Sequence, residues 1–116
     1  MNATTKTQPV WEVTTARINE AVERIVVAAH PLRVILFGSL ARGDEGRESD
    51  VDLVVVEREV RDRYAEIMRL LRSLRGLCLP VDLLVISEED FDYWSKVPGS
   101  VYHAAKREGK LLYEAA

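Results

Sequence analysis

Thiol chemistry is nearly absent from this chain. Its one cysteine, Cys78, rules out an internal disulfide. Leu77 and Leu79 flank it, so the thiol is expected to be buried and inert. Histidine is scarce as well. His30 reads as a loop residue before Pro31, and His103 as a structural or exposed residue of a late helix. The two form no His/Cys cluster of zinc-ligand spacing. A basic excess is also missing. The formal net charge is −3, so a general nucleic-acid binder is not expected. No apolar run reaches the roughly 20 residues that span a bilayer. Met1 to Pro9 is polar and lacks the apolar stretch of a secretion signal. The cytoplasm is therefore the expected compartment, with no membrane partner.

What is present fits a folded globule. The chain has 116 residues, enough for one small domain whose core needs no disulfide staples. Hydrophobic residues make up 47%, which disfavours disorder. Residues 1–11 read as a flexible tail and 12–116 as a single domain. From Glu12 to Ala29, Ile18, Val22, Ile25 and Ala29 recur at helical spacing, with Thr14 or Thr15 as cap. Pro31 ends that helix. Leu32–Phe37 reads as a buried strand, and Asp50–Val56 as a second strand covered on both faces. Val60–Leu74 reads as a helix with Val60, Tyr64, Ile67, Leu71 and Leu74 on its buried stripe, stopped by Gly76. Val81–Ile86 is a third strand. A helix is expected from Ser87 to Lys96 and another from Gly99 to Glu108, before a short edge strand at Lys110–Tyr113. This order is no regular βαβ alternation. It predicts an α/β (α+β) fold with a small mixed sheet flanked by helices.

The chemistry is concentrated between the first two strands. Gly38-Ser39 ends one apolar run, ten residues intervene, and Asp50-Val51-Asp52 opens the next. A glycine at a strand end lets a phosphate approach the backbone without a Cβ in the way. A turn starting at Ser39 and running through Arg42 offers N–H groups and a hydroxyl to an anion. Alone, that pair is also what an ordinary capped turn looks like. Asp50 and Asp52 lie two apart on a strand, on one face, with Cβ atoms roughly 6–7 Å apart. They repel unless a cation lies between them, and hard carboxylate oxygens suit Mg²⁺. Asp82 adds a third carboxylate if the second and third strands are neighbours. Three acids at one sheet end suit a two-metal site, and Asp82 or a neighbour can also accept a proton.

These residues resemble the signature of the DNA polymerase β-like nucleotidyltransferase superfamily. Ala41-Arg42-Gly43, Ser49 before the acids and Leu53 after them add to the likeness. The chain looks most like the minimal nucleotidyltransferases, the MNT or MntA-type proteins of prokaryotes. The likeness runs from the leading helix to the closing segment 107–113. It implies that Gly38 and Ser39 hold the β- and γ-phosphates, with Arg42 in reach of phosphate. It implies that Asp50 and Asp52 bind two Mg²⁺ ions and that Asp82 is the third catalytic acid. ATP would be the substrate. The partner would be a HEPN-domain toxin whose tyrosine receives AMP, making this chain the antitoxin of the pair. Two alternatives remain open: neutralisation of the partner by binding alone, or transfer to a small molecule or RNA end. The chain carries no obvious acceptor domain, so a homo- or hetero-oligomer would have to supply the cleft. Tyr93, Trp94, Tyr102 and Tyr113 are expected in core packing rather than on a partner surface. The arginines of the second helix are expected on a solvated face.

Overall fold

The computed structural model describes residues 13–43 and 50–116. Among them are α1 (Thr15–Ala29), β1 (Arg33–Phe37), β2 (Val51–Glu57), α2 (Arg63–Ser73), β3 (Val81–Ser87), α3 (Glu88–Trp94), α4 (Val101–Glu108) and β4 (Lys110–Glu114). Side-chain caps set where the helices begin. Thr14, Asp62, Ser87 and Ser100 each accept the backbone N–H three residues on, at 3.0–3.2 Å. Each cap satisfies a donor that a helix start leaves without a partner. At the other end of α1, His30 adopts φ 46° and its N–H donates to the Val26 carbonyl. Pro31 then makes continuation impossible.

The four strands form one mixed sheet in the order β3-β2-β1-β4. The strand β1 is antiparallel to β2 and β4, while β2 and β3 run parallel. The expected mixed α+β architecture is therefore the observed one. The two middle strands are covered on both sides. Val51, Leu53 and Val55 pack with Ala21 and Ile25 of α1 and Leu70 of α2. Val54 and Val56 pack on the opposite face with Ile86, Phe91 of α3 and Ala105 of α4. All five β2 valine and leucine residues are fully buried. That burial fixes the register, since a slip by one residue would exchange the two faces.

Guanidinium groups tie α1 to α2. Arg24 donates to the Ser73 and Arg75 carbonyls, and Arg69 donates to the Ala28 carbonyl at 2.7 Å. Arg17 donates to the Leu77 carbonyl. Carbonyls at helix C-termini lack intrahelical partners, and cationic donors meet that need. Arg69 is thus a structural tie while staying exposed, as the reading of the second-helix arginines as a solvated face expects.

Three further expectations are corrected. Tyr64 is 74% exposed, and Leu70 holds the centre of the buried stripe of α2 instead. The helix begins only at Arg63, after the Asp62 cap, so Tyr64 lies in its first turn at the stripe's edge. Cys78 is exposed, because Leu77 takes the buried place and Cys78 turns away at φ 53°. Tyr93 and Trp94 are exposed and stack edge to face on each other, with centroids 5.0 Å apart. Phe91 fills the core position of that helix. Tyr102 and Tyr113 do pack against the two cores. The expected tail at 1–11, the helix start at Glu12 and the loop residues 44–49 lie outside the described residues. No helix among the described residues is long and apolar enough to cross a membrane.

Candidate active site

The sheet brings the motif together at one end. Phe37, the last residue of β1, pairs with Asp52. Gly38 therefore leaves the sheet beside the Asp52 carboxylate. Its φ is +79°, a conformation that side chains disfavour, and a Cβ built there would stand 2.3 Å from Asp52 Oδ2. Torsion and space both demand glycine. The next residues form a compact turn. The Arg42 N–H donates to the Gly38 carbonyl at 3.2 Å, and the Gly43 N–H to the Leu40 carbonyl at 3.2 Å. Ala41 is buried in the α1/α2 core and Leu40 packs against it, which pins the turn to the domain. The segment is a single hydrogen-bonded turn over residues 39–43, the short turn through Arg42 that the sequence suggests. Ser39 is partly buried at the mouth of the turn, and Arg42 is exposed on it.

The acids enter from the two parallel strands. Asp52 and Asp82 occupy the same rung of β2 and β3. Neighbouring strands stand about 4.8 Å apart, so the two carboxylates are lateral neighbours. The Val51 N–H donates to the Pro80 carbonyl at 2.7 Å, which locks the two strand starts together. Asp50 sits just ahead of β2 and is exposed, as is Asp82, while Asp52 is half-buried between them. The Asp52 carboxyl is held above its ordinary range, first by burial and then by the negative charges of Asp82 and Asp50. Among the described residues no three His, Cys, Asp or Glu side chains are close enough to form a finished metal cage. The repulsion that helps raise Asp52 is what a bound cation would relieve. An open set of carboxylate oxygens is the donor chemistry that Mg²⁺ takes, with coordination sites left for phosphate.

All six candidate residues thus gather at one sheet end, with Gly38 directly against Asp52. Ser49, part of the motif, lies outside the described residues. The sequence held no sign of the Gly38–Asp52 contact. It arises from antiparallel β1/β2 pairing, which spacing alone does not fix. A carboxylate at the opposite end of β2, Glu57, was also missed, because a lone acid after a valine run reads as a strand terminus.

The mixed four-stranded sheet thus carries three acids and a Gly-Ser turn at one end, the arrangement expected from the sequence of a nucleotidyltransferase fold. The chain belongs to the Nucleotidyltransferase domain family, which matches residues 16–114. It is 35% identical over 81 residues to "Putative protein adenylyltransferase MJ0604" of Methanocaldococcus jannaschii, spanning 70% of this chain and 77% of that protein. Its fold is similar to the crystal structure of a "putative nucleotidyltransferase" from Sulfolobus solfataricus. The TM-score is 0.61 at 25% identity, covering 85% of this chain and 78% of that one. It is also similar in fold to a structure of the tri-AMPylated Shewanella oneidensis HEPN toxin in complex with MNT antitoxin. There the TM-score is 0.56 at 17% identity, covering 86% of this chain and 71% of that one.

Proposed function

We propose that this nucleotidyltransferase moves AMP from ATP onto a hydroxyl group, a tyrosine of a HEPN-type toxin, and thereby acts as that toxin's antitoxin. The observation that carries the reading is the contact of the Gly38 turn with Asp52, in register with Asp82. On this reading the turn is the phosphate cradle and Asp52 with Asp82 the cation-binding pair, within one side chain of each other. The protein-adenylyltransferase relative and the AMPylated toxin bound by an MNT antitoxin support the finer reading of acceptor and partner.

The roles follow from position. Backbone N–H groups of the 38–43 turn and the Ser39 hydroxyl would bind the terminal phosphates. Arg42 would steady the same phosphates from the rim. Asp50, Asp52 and Asp82 would hold Mg²⁺, which when bound neutralises triphosphate charge and makes the attacking oxygen more acidic. The acceptor oxygen attacks the α-phosphorus and the bond to pyrophosphate breaks. The hydroxyl proton passes to a carboxylate, for which exposed Asp82 is the candidate. Little covalent work is left to the protein, so positioning dominates.

The test is to incubate the protein with its partner, ATP and Mg²⁺ and to weigh the partner. A gain of one AMP residue per modified tyrosine is expected. Asp50→Asn and Asp52→Asn should abolish the gain while the circular dichroism spectrum stays native. Absence of any mass gain with all four triphosphates would sink the proposal. Full protection from the toxin by both variants would show that binding, not transfer, neutralises it.

A further inference from the structure

Far from the acids, the other end of β2 holds a carboxyl group that the transfer reaction does not use. Glu57 lies five residues beyond Asp52, roughly 17 Å along the strand. It is 9% exposed, and its Oε2 is buried with no hydrogen-bond partner among the described residues. It lines a cavity of about 380 Å³ between the end of β2, the loop that follows and the first turns of α2. Glu59, Arg61, Asp62, Glu66 and Arg69 line the same cavity.

The two arginines do not answer the need of Glu57. Arg69 is engaged elsewhere: its guanidinium makes two hydrogen bonds to Glu66, at 3.1 and 2.8 Å, and a third to the Ala28 carbonyl. Arg61 is exposed at the rim. Asp62 is used in part, since its Oδ1 caps α2 at Ala65. The acids outnumber the bases four to two in this lining. A buried, unpartnered carboxyl oxygen is costly, and such a group in a native fold calls for an explanation. A metal ion is a poor one, because Glu57, Glu59, Asp62 and Glu66 form no three-acid group that could hold it. The space is also larger than a bare ion needs.

We propose that this cavity binds an organic cation, an alkylammonium or alkylguanidinium head, through Glu57 and Glu66. The head donates hydrogen bonds to Glu57 Oε2 and to the remaining lone pairs of the Arg69-paired Glu66 carboxylate, with its alkyl stem leaving past Val60 and Ala65. The source is either a free amine or a basic side chain of a partner protein. The site is separate from the acid triad, so it does not depend on the transfer reaction. At neutral pH the Glu57 carboxyl is protonated, because burial and then the neighbouring Glu66 push it to about 8. Binding of a cation must therefore expel that proton to solvent. Glu66, Arg69, Glu59, Arg61 and Asp62 are the charged groups that face it across the cavity.

The experiment is calorimetric titration of the full chain with agmatine and, separately, with N-acetyl-arginine amide. Measurements run in two buffers of different ionisation enthalpy, at pH 6, 7 and 8. Binding with close to one proton released at pH 6 is expected, and affinity should rise about tenfold from pH 6 to pH 7. Tighter binding of agmatine assigns the site to free amines, and tighter binding of the amide assigns it to a partner's side chain. The Asp52→Asn protein should bind as the wild type does, which places binding outside the acid triad. Glu57→Gln, a neutral isostere, should lose the proton release and weaken binding at pH 8 at least about tenfold. No binding of either probe at millimolar concentration overturns the proposal. So does binding by wild type without proton release, a readout that holds even if Glu57→Gln fails to fold.

Discussion

At the scale of the residue, two positions decide whether the site can work. Gly38 must accept φ +79° and must leave room for Asp52 Oδ2, which a Cβ would approach to 2.3 Å. Gly38→Ala is therefore expected to displace the carboxylate rather than merely strain the turn. Stability should fall by about 1–2 kcal/mol, the usual cost of a left-handed non-glycine residue. Transfer should fall much further, by at least about 100-fold, because small misplacements of catalytic groups cost that much. Urea melts and single-turnover AMP transfer would separate the two effects. A variant that loses stability but keeps its transfer rate would show that the contact is only structural. Asp52 carries the second prediction. Its carboxyl is raised by burial and by Asp82 and Asp50, so its charged form is penalised in the fold. That penalty is absent below the ordinary carboxylate range and grows as pH rises through the raised value. Without divalent ion at neutral pH, Asp52→Asn should thus melt at or above the wild-type temperature. Mg²⁺ with ATP should raise the melting point of the wild type and leave the variant unmoved, which reverses the order. These residues were legible in the sequence as types and spacing. Their mutual contact was not, because it depends on the β1/β2 register.

At the scale of the element, the chain announces itself where local chemistry decides and hides where tertiary contact decides. Thr14, Ser87 and the segment around Gly99 marked helix starts, and caps form at Thr14, Ser87 and Ser100. The apolar run at 51–56 marked a doubly covered strand, and both faces are buried. Tyr64 was misplaced because helical period alone does not say where the first turn begins, and Asp62 begins it late. Cys78 was misplaced because two flanking leucines say nothing about a left-handed backbone. The junction of α4 and β4 offers an element-scale test. Gly109 turns helix into strand within one residue, its N–H donating to the Ala105 carbonyl at 2.9 Å. Its φ is ordinary, yet a Cβ there would meet the Ala105 carbonyl at 2.4 Å, Ile35 Cγ2 at 2.7 Å and the Leu36 carbonyl at 2.8 Å. Two of those neighbours are backbone and cannot rotate away. Gly109→Ala should therefore cost about 1–3 kcal/mol by overpacking, although alanine usually stabilises a helix end relative to glycine. A chemical-denaturation midpoint unchanged from wild type would refute the close docking of α4 on β1.

At the scale of the whole molecule, β2 links two ends of opposite character: an open cluster of acids that a cation would gather, and a buried carboxyl that holds its proton. The second end should govern how stability depends on pH. Glu57 is pushed to about 8 by burial and then by the neighbouring Glu66, with Arg69 opposing. Between the ordinary glutamate range and about pH 8 the folded state then holds a proton that the unfolded chain has released. Stability must fall as pH rises through that window and level off above it. Glu66 acts with the opposite sign. Arg69 holds its carboxyl below the ordinary range, so its contribution is present above that range and lost as pH falls through the lowered value. The two together set the greatest stability in mildly acidic solution, where Glu66 is charged and Glu57 is neutral. The loss from pH 5.5 to pH 8.5 is expected to be roughly 2–3 kcal/mol, less than a lone buried carboxyl would give, because the pair shares its proton. Urea unfolding across that range, with no divalent ion present, reads it directly. Glu57→Gln should flatten the slope and be the more stable protein at pH 8.5, since its amide has no proton to lose. Glu66→Gln should keep the acidic optimum from forming, for it removes the charge that Arg69 stabilises. If wild type and Glu57→Gln instead show the same slope, Glu57 is ionised in the folded protein at neutral pH, and the far end of β2 does not hold the protonated carboxyl described above.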